Sequence, residues 1–203
     1  MRYLSAYDSD KSILQAMSDI HLRGDWYEAD ITYSLGNFYD IRQPKYKTDL
    51  MPQSEFIAQD DSQELKTLPN VNSIVFDPPF LFRDRKADNN DKMCKRFSYF
   101  KNYKELQTMY KNSLVCICKK LNNKGYLFFK CQDMTDGKFY CTHNFIINYA
   151  KEIGFELKDI FIKVTNRKLQ RDAKQQNCGA KVHSYWLVFR KIERGIRYVK
   201  GGV

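Results

Sequence analysis

Four consecutive residues carry the clearest chemical suggestion in the sequence: Asp77-Pro78-Pro79-Phe80, directly after the apolar run Val71-Asn-Ser-Ile-Val-Phe76. A carboxylate followed by a rigid proline pair suits the activation of an exocyclic amine on an aromatic ring. Such a nitrogen is a weak nucleophile because it shares its lone pair with the ring. Two acceptors on its hydrogens, the Asp77 carboxylate and the Pro78 carbonyl, would push it toward tetrahedral geometry and localise that pair. Pro78 and Pro79 fix the backbone, and Phe80 offers a face on which a planar base can stack. Orientation and fixed electrostatics of this kind lower a barrier. The plainer reading is a strand that leaves its sheet at a proline, which cannot continue a central ladder.

This chemistry needs a buried strand ending at an open edge, and the surrounding pattern provides one. Ser9-Asp10 offers a cap for a helix whose apolar positions Ile13, Leu14, Met17 and Ile20 recur until Gly24. Residues 28–33 read as a strand breaking at Ser34-Leu-Gly36, with two short strand candidates at 45–50 and 55–59. Beyond Phe80 a polar, basic loop spans 81–102, followed by a helix at about 104–121 and a stop at Asn122-Asn-Lys-Gly125. A strand at 126–130, a helix at 142–153 and two last strands at 155–164 and 184–191 complete the chain. Strands alternating with helices, closed by two consecutive strands, imply a single α/β domain over 1–203. Its sheet is mostly parallel, with the last strand inserted antiparallel. In such sheets ligands bind beyond the carboxyl ends of the strands, where residues 77–80 stand.

With these elements in order, the sequence resembles the S-adenosylmethionine-dependent DNA amino-methyltransferases that act on adenine N6 or cytosine N4. Asp77-Pro-Pro-Phe80 is similar to their DPP(Y/F) motif IV, and Ala29-Asp-Ile-Thr-Tyr-Ser-Leu-Gly-Asn-Phe-Tyr39 to the D-x-T-Y-G-x-G-x-F-(W/Y) form of motif I. The chain keeps Asp30, Thr32, Tyr33, Gly36 and Phe38 but has Ser34 where the first glycine is expected, a change tolerable at negative φ. Residues 176–191 resemble the last strand of small phage- and plasmid-type methylases, with His183, read as structural, near its start. The resemblance implies a Rossmann-like class I methyltransferase with a seven-stranded sheet, S-adenosylmethionine as cofactor and a restriction-modification setting. It makes Asp77, Pro78, Pro79 and Phe80 the catalytic candidates, and Asp30, Thr32, Tyr33, Gly36, Asp49 and Asp60 the cofactor-binding ones. Asp49 would meet ribose hydroxyls, as acids at that position do in nucleotide-binding α/β folds. Asp61 rivals Asp60 for the adenine.

Composition agrees with a nucleic-acid substrate. The 203 residues carry 34 Lys+Arg against 24 Asp+Glu, a net of +10, and 43% of them are hydrophobic. Residues 161–203 hold 11 Lys+Arg and 2 Asp+Glu, a local +9 that favours a polyanionic partner. Arg83, Arg85, Lys86, Lys95 and Arg96 in the first loop, with Arg167, Lys168, Arg171 and Lys174 in residues 165–182, are the nucleic-acid-binding candidates. One or both loops are expected to be mobile without DNA. A duplex base would have to be flipped out, and the chain has no length for a separate recognition domain. Recognition then falls to the loops, to a partner subunit or to dimerisation. No run reaches a membrane span and no signal peptide is visible, so a cytoplasmic protein is expected, its six cysteines reduced and serving mainly as core. Their spacing gives no zinc motif. DNA is favoured over RNA and adenine N6 over cytosine N4. The rival readings are an RNA base methyltransferase, such as a guanine-N2 enzyme, and a non-catalytic nucleic-acid-binding subunit of the same fold.

Overall fold

The computed structural model describes residues 2–82, 100–165, 179 and 181–192. Its framework is a sheet of eight strands in the order β1-β9-β10-β6-β5-β2-β3-β4. The strands are β1 (Ala6–Tyr7), β2 (Ala29–Asp30), β3 (Tyr46–Asp49), β4 (Ala58–Gln59), β5 (Val71–Phe76), β6 (Leu121–Cys131), β9 (Phe155–Val164) and β10 (His183–Lys191). Every pairing is parallel except those of β10, which runs antiparallel to both β6 and β9. The expected mostly parallel sheet with an antiparallel last strand is therefore present. Its strand count is eight rather than seven because the short β1 adds to the edge beside β9.

Buried alternation explains how the sheet is covered on both faces. Ile74 and Phe76 of β5, Leu127 and Phe129 of β6, and Leu187 and Phe189 of β10 meet the helices α2 (Tyr103–Lys120) and α3 (Thr142–Glu152). Val75, Phe128, Trp186 and Val188, one residue out of phase, meet α1 (Asp10–His21) through Ile13, Leu14 and Met17. A period of two on each strand thus feeds two cores, and strands buried on both faces read as continuous apolar runs. Each fully buried Phe, Leu or Ile contributes about 1.5–3 kcal/mol.

Three local readings change. Asp10 does not cap α1 in the ordinary way. Ser9 holds the cap position without a side-chain bond, while the Asp10 carboxylate turns inward to the Trp186 indole N–H, 2.9 Å away. Leu121 passes straight from α2 into β6, and Asn122–Gly125 is an outward bulge near the start of that strand. Val71 pairs with Leu121 but Ser73 with Tyr126, and Lys124 takes up a φ of 66°. Between β6 and α3 stands an unforeseen hairpin, β7 (Met134–Asp136) and β8 (Lys138–Tyr140), turning on Gly137 at φ 66°. Glycine takes the left-handed position without cost, and the shortness of both strands hid the hairpin from the sequence.

The topology fixes where a ligand can sit. From β2 the chain steps outward through β3 and β4, then returns to place β5 on the other side of β2. The connections therefore reverse direction at the hydrogen-bonded pair β2 and β5, a topological switch point beyond whose carboxyl ends open α/β sheets bind ligands.

Candidate active site

At that switch point the carboxyl ends of four strands enclose a cavity of about 140 Å³. Ile31, Thr32 and Ser34 after β2, Asp49 and Leu50 after β3, Asp61 to Gln63 after β4, and Phe76 to Pro79 after β5 form its walls, closed by Phe100 and Met109. Among the residues expected to meet a cofactor, Thr32 and Asp49 line this space. Asp77, Pro78 and Pro79 line it from the other side. Phe80 is half-buried and off the cavity wall.

The turn after β2 is built by the residues that do not line the cavity. Asp30, 1% exposed, accepts from the Thr32 backbone N–H at 2.9 Å and from the Tyr39 hydroxyl at 2.7 Å. Burial, reinforced by the charges of Asp77 and Asp49, raises its pKa to about 7 against these hydrogen bonds. Tyr33 stacks on Tyr39, the ring centroids 5.7 Å apart and nearly parallel. Gly36 lies under that pair at φ 68°, where an added Cβ would come within 2.6 Å of Tyr33 Cζ. The left-handed backbone favours glycine here, and any Cβ would force the Tyr33 ring to shift. Ser34 corrects the reading of the turn: its φ is 54°, not negative, so a serine occupies a left-handed position. The Asp49 carboxylate secures it, accepting from Ser34 N–H and Met51 N–H at 2.8 Å each.

Asp60 and Asp61 are placed differently. Asp60 faces away from the cavity and accepts from Lys66 N–H, Thr67 N–H and Thr67 Oγ1 at 2.7–3.0 Å. Burial alone would raise its pKa, but these three donors hold it below the ordinary carboxylate value. Asp61 lines the cavity instead.

Asp77 is the most unusual group in the site. Its backbone N–H donates to Thr32 Oγ1 at 2.7 Å, which ties the end of β5 to the turn after β2. Its side chain retains 21% exposure, almost none of it at Oδ1, and that oxygen has no hydrogen-bond partner among the described residues. The Tyr110 hydroxyl holds the Pro79 carbonyl at 2.8 Å. Oδ2 meets Lys130 Nζ at 3.4 Å.

No protein-family model matches this sequence, and no curated protein does. Solved structures do match in fold. TrmN from Thermus thermophilus superposes with a TM-score of 0.54 at 13% identity, over 90% of this chain and 49% of that one. The N-methyltransferase NodS from Bradyrhizobium japonicum WM9, solved with S-adenosyl-L-homocysteine, gives 0.52 at 14% identity, over 91% of this chain and 89% of NodS. The chain shares the Rossmann-like α/β fold of these two structures. The chain spans about half the length of the Thermus thermophilus chains it matches.

Behind Asp77 lies a charged cluster the sequence reading did not find. Lys130, 8% exposed, sits between Asp77 and Asp10, 3.2 Å from the latter, and over the rings of Phe38 and Trp186 at 4.7 and 5.5 Å. Lys163 is the second cation on Asp10. Burial would raise the pKa of Asp10, yet Lys130, Lys163 and the Trp186 N–H together bring it below the ordinary value. A lysine closing the apolar run Tyr126-Leu-Phe-Phe was the available signal.

A second group stands beyond β6. Buried Asp133 accepts from His143 Nδ1 at 2.8 Å and from Tyr185 Oη at 3.5 Å. His183 Nε2 lies 3.0 Å from the same tyrosine oxygen. Cys141 Sγ is 3.8 and 3.9 Å from the two ring nitrogens of His143. Asp133, Cys141 and His143 thus bring three metal-ligand types within 4.8 Å of one another, a juxtaposition that the cysteine spacing did not announce. Cys118 and Cys131 are buried while Cys116 and Cys141 are half-buried. Cys94 and Cys178 lie outside the described residues, as do Arg83, Arg85, Lys86, Lys95, Arg96, Arg167, Lys168, Arg171 and Lys174. The described flanks of both basic segments are nonetheless placed. Phe82 and Phe100 form a parallel bridge, with Phe100 on the cavity wall, and Thr165 N–H donates to the Val182 carbonyl at 2.7 Å.

Proposed function

We propose that this chain is an S-adenosylmethionine-dependent methyltransferase acting on an exocyclic amino group of a nucleic-acid base, adenine N6 in DNA before cytosine N4. The observation that carries the reading is Asp77 Oδ1, a buried acceptor with no donor among the described residues, at the head of Pro78-Pro79-Phe80 on the wall of the switch-point cavity. A buried acceptor left unpaired costs about 1–3 kcal/mol, a cost that an arriving amine N–H would remove. A partial turn about the soft carboxylate χ2 would bring this shielded oxygen to the cavity.

The residues around the cavity fit the cofactor by chemistry. Asp49 offers carboxylate oxygens to ribose hydroxyls, Asp61 a carboxylate for the adenine amine, and Ile31, Leu50 and Met109 an apolar enclosure. The enclosed volume is below the ~300–1,000 Å³ of an ordinary ligand pocket, so a whole cofactor would extend over the rim past Ser34 and Asp49. S-adenosylmethionine would supply an electrophilic methyl group. Asp77 and the Pro78 carbonyl would accept the two amine hydrogens and direct the nitrogen lone pair at it, while Phe80 would stack on the base. No strong base is required, because a methylated aryl ammonium releases its proton readily to water.

Transfer from labelled S-adenosylmethionine to DNA and to RNA, followed by nucleoside digestion, tests the reading. N6-methyladenine from DNA is expected, with loss of transfer in Asp77→Ala. Product from RNA alone would move the substrate class to the rival reading. Undiminished transfer by Asp77→Ala would overturn the mechanism.

A further inference from the structure

On the flank of the cavity, α2, α3 and β8 leave an open groove of about 570 Å³. Its walls combine three kinds of side chain. Aromatic rings come from Tyr103, Phe139, Tyr140, Phe145 and Tyr149, cations from Lys111 and Lys138, and amides from Gln107, Asn144 and Asn148. Lys111 Nζ stands over Tyr149 at 5.2 Å and over Phe145 at 5.7 Å. Lys138 lies over Tyr140 at 5.2 Å and Lys181 over Phe139 at 4.9 Å. Phe139 leaves 54% of its surface to solvent. Glu152 is the one acid on the walls, so among the described residues the groove is net positive.

The inner wall leads toward the catalytic segment. Tyr103 and Tyr140 pack on each other and on Phe82, with ring centroids 4.6, 5.5 and 4.9 Å apart. Phe82 lies two residues beyond Asp77-Pro-Pro-Phe80. An apolar peptide would leave the lysines and amides of this surface unused, whereas stacked bases and a phosphate backbone would use all three kinds of side chain. Aromatic faces interleaved with cations are the means by which proteins hold unpaired nucleic acid without reading its sequence.

We propose that this groove binds an unpaired stretch of the nucleic-acid strand that flanks the target nucleotide. The proposal rests on the reading that the substrate is nucleic acid, but not on which base is methylated. Such a groove would hold the strand beside the extruded base, a service for which the basic segments need not be invoked.

The test is fluorescence anisotropy of a labelled oligo(dT) strand with the full chain and with Lys111→Glu/Phe139→Ala. Both positions are exposed, and neither belongs to the cavity. Stacking is worth about 1–3 kcal/mol per base, so the double variant should bind at least about tenfold more weakly. Its S-adenosylmethionine affinity, measured by calorimetry, should not change. Oligo(dT) affinity equal to wild type in the variant, or no binding by wild type, overturns the proposal, including the case in which a protein partner occupies the groove. Lost oligo(dT) binding in a protein that transfers no methyl group to any nucleic acid would leave the groove standing while the methyltransferase reading fell.

Discussion

Asp77 is held between opposed influences. Burial pushes its pKa up, the Lys130 ammonium pulls it down, the Asp10 charge pushes it up again, and Lys163 pulls weakly from further away, leaving it raised. On the proposed mechanism the ionised carboxylate is the stronger acceptor for the amine hydrogen that Asp77 takes, the other going to the Pro78 carbonyl, so Lys130 would have a positioning and charge-setting part without touching substrate. Lys130→Met removes the largest lowering influence, so the acid limb of kcat/KM should move to higher pH. The variant should lose more activity relative to wild type at about pH 6 than at about pH 9. A pH profile parallel to wild type would rule this role out. Stability should also fall, by about 3–5 kcal/mol, because one partner of a buried ion cluster is gone, and urea unfolding measures that separately. The sequence displayed Lys130 but not its meaning. That meaning depends on which strand lies beside β6, and Asp77 arrives there from 53 residues away. The Asp77-Pro-Pro-Phe80 segment was legible because its chemistry is local, whereas Asp10-Lys130-Lys163-Trp186 is a meeting of four distant elements.

At the scale of elements, the turn from β2 to Tyr39 is where sequence and structure agree in place and differ in detail. Asp30 and Gly36 stood out as cofactor contacts, yet Asp30 braces the turn from beneath and Gly36 makes room for Tyr33. An acid that anchors a backbone looks the same in sequence as one that binds a ligand. The folded Asp30 releases its proton near pH 7 and the unfolded one near its ordinary 3.8. Between those values the folded chain holds the extra proton, and stability falls as pH rises. Asp30→Asn cannot titrate, so its urea midpoint should gain on wild type between about pH 5 and about pH 8. A difference constant over that interval would mean that Asp30 is ionised throughout. In the same turn, Gly36→Ala meets both a left-handed backbone and the Tyr33 ring, and should cost about 1–3 kcal/mol in the same unfolding assay. The helices and the last two strands were read nearly to the residue because burial patterning dominates them, whereas β6 runs Leu121–Cys131 where only 126–130 was expected. The β7–β8 hairpin escaped because three-residue strands have no period to read, and the sign of φ at Ser34 because serine does not announce it.

For the whole molecule, net charge matters less than the edge on which it is mounted. The Phe82–Phe100 bridge roots the first basic segment just past β5, and the Thr165–Val182 hydrogen bond roots the second where β9 ends and β10 begins. Because β5, β6 and β9 run in one direction, both roots lie at the carboxyl edge, with the cavity and with the hairpin that borders the aromatic groove. A polyanion drawn by the basic residues of 165–182 would therefore meet the protein on the face where Asp77 stands, whereas Arg190 and Lys191 end β10 at the opposite edge, paired with Glu156 and Phe155. The sequence could assign the charge but not its common edge, because that depends on strand order. Each phosphate neutralised on duplex DNA contributes about −0.9 to the slope of log affinity against log salt. Replacing Arg167, Lys168, Arg171 and Lys174 by Gln should therefore make that slope shallower by up to about 3–4, with S-adenosylmethionine affinity untouched. An unchanged slope would assign the phosphates to residues 83–101 instead, and the matching substitutions of Arg83, Arg85, Lys86, Lys95 and Arg96 should then carry the whole loss. If neither set alters the slope, the affinity is not set by phosphate neutralisation at this edge, and the charge asymmetry would serve something other than the substrate strand.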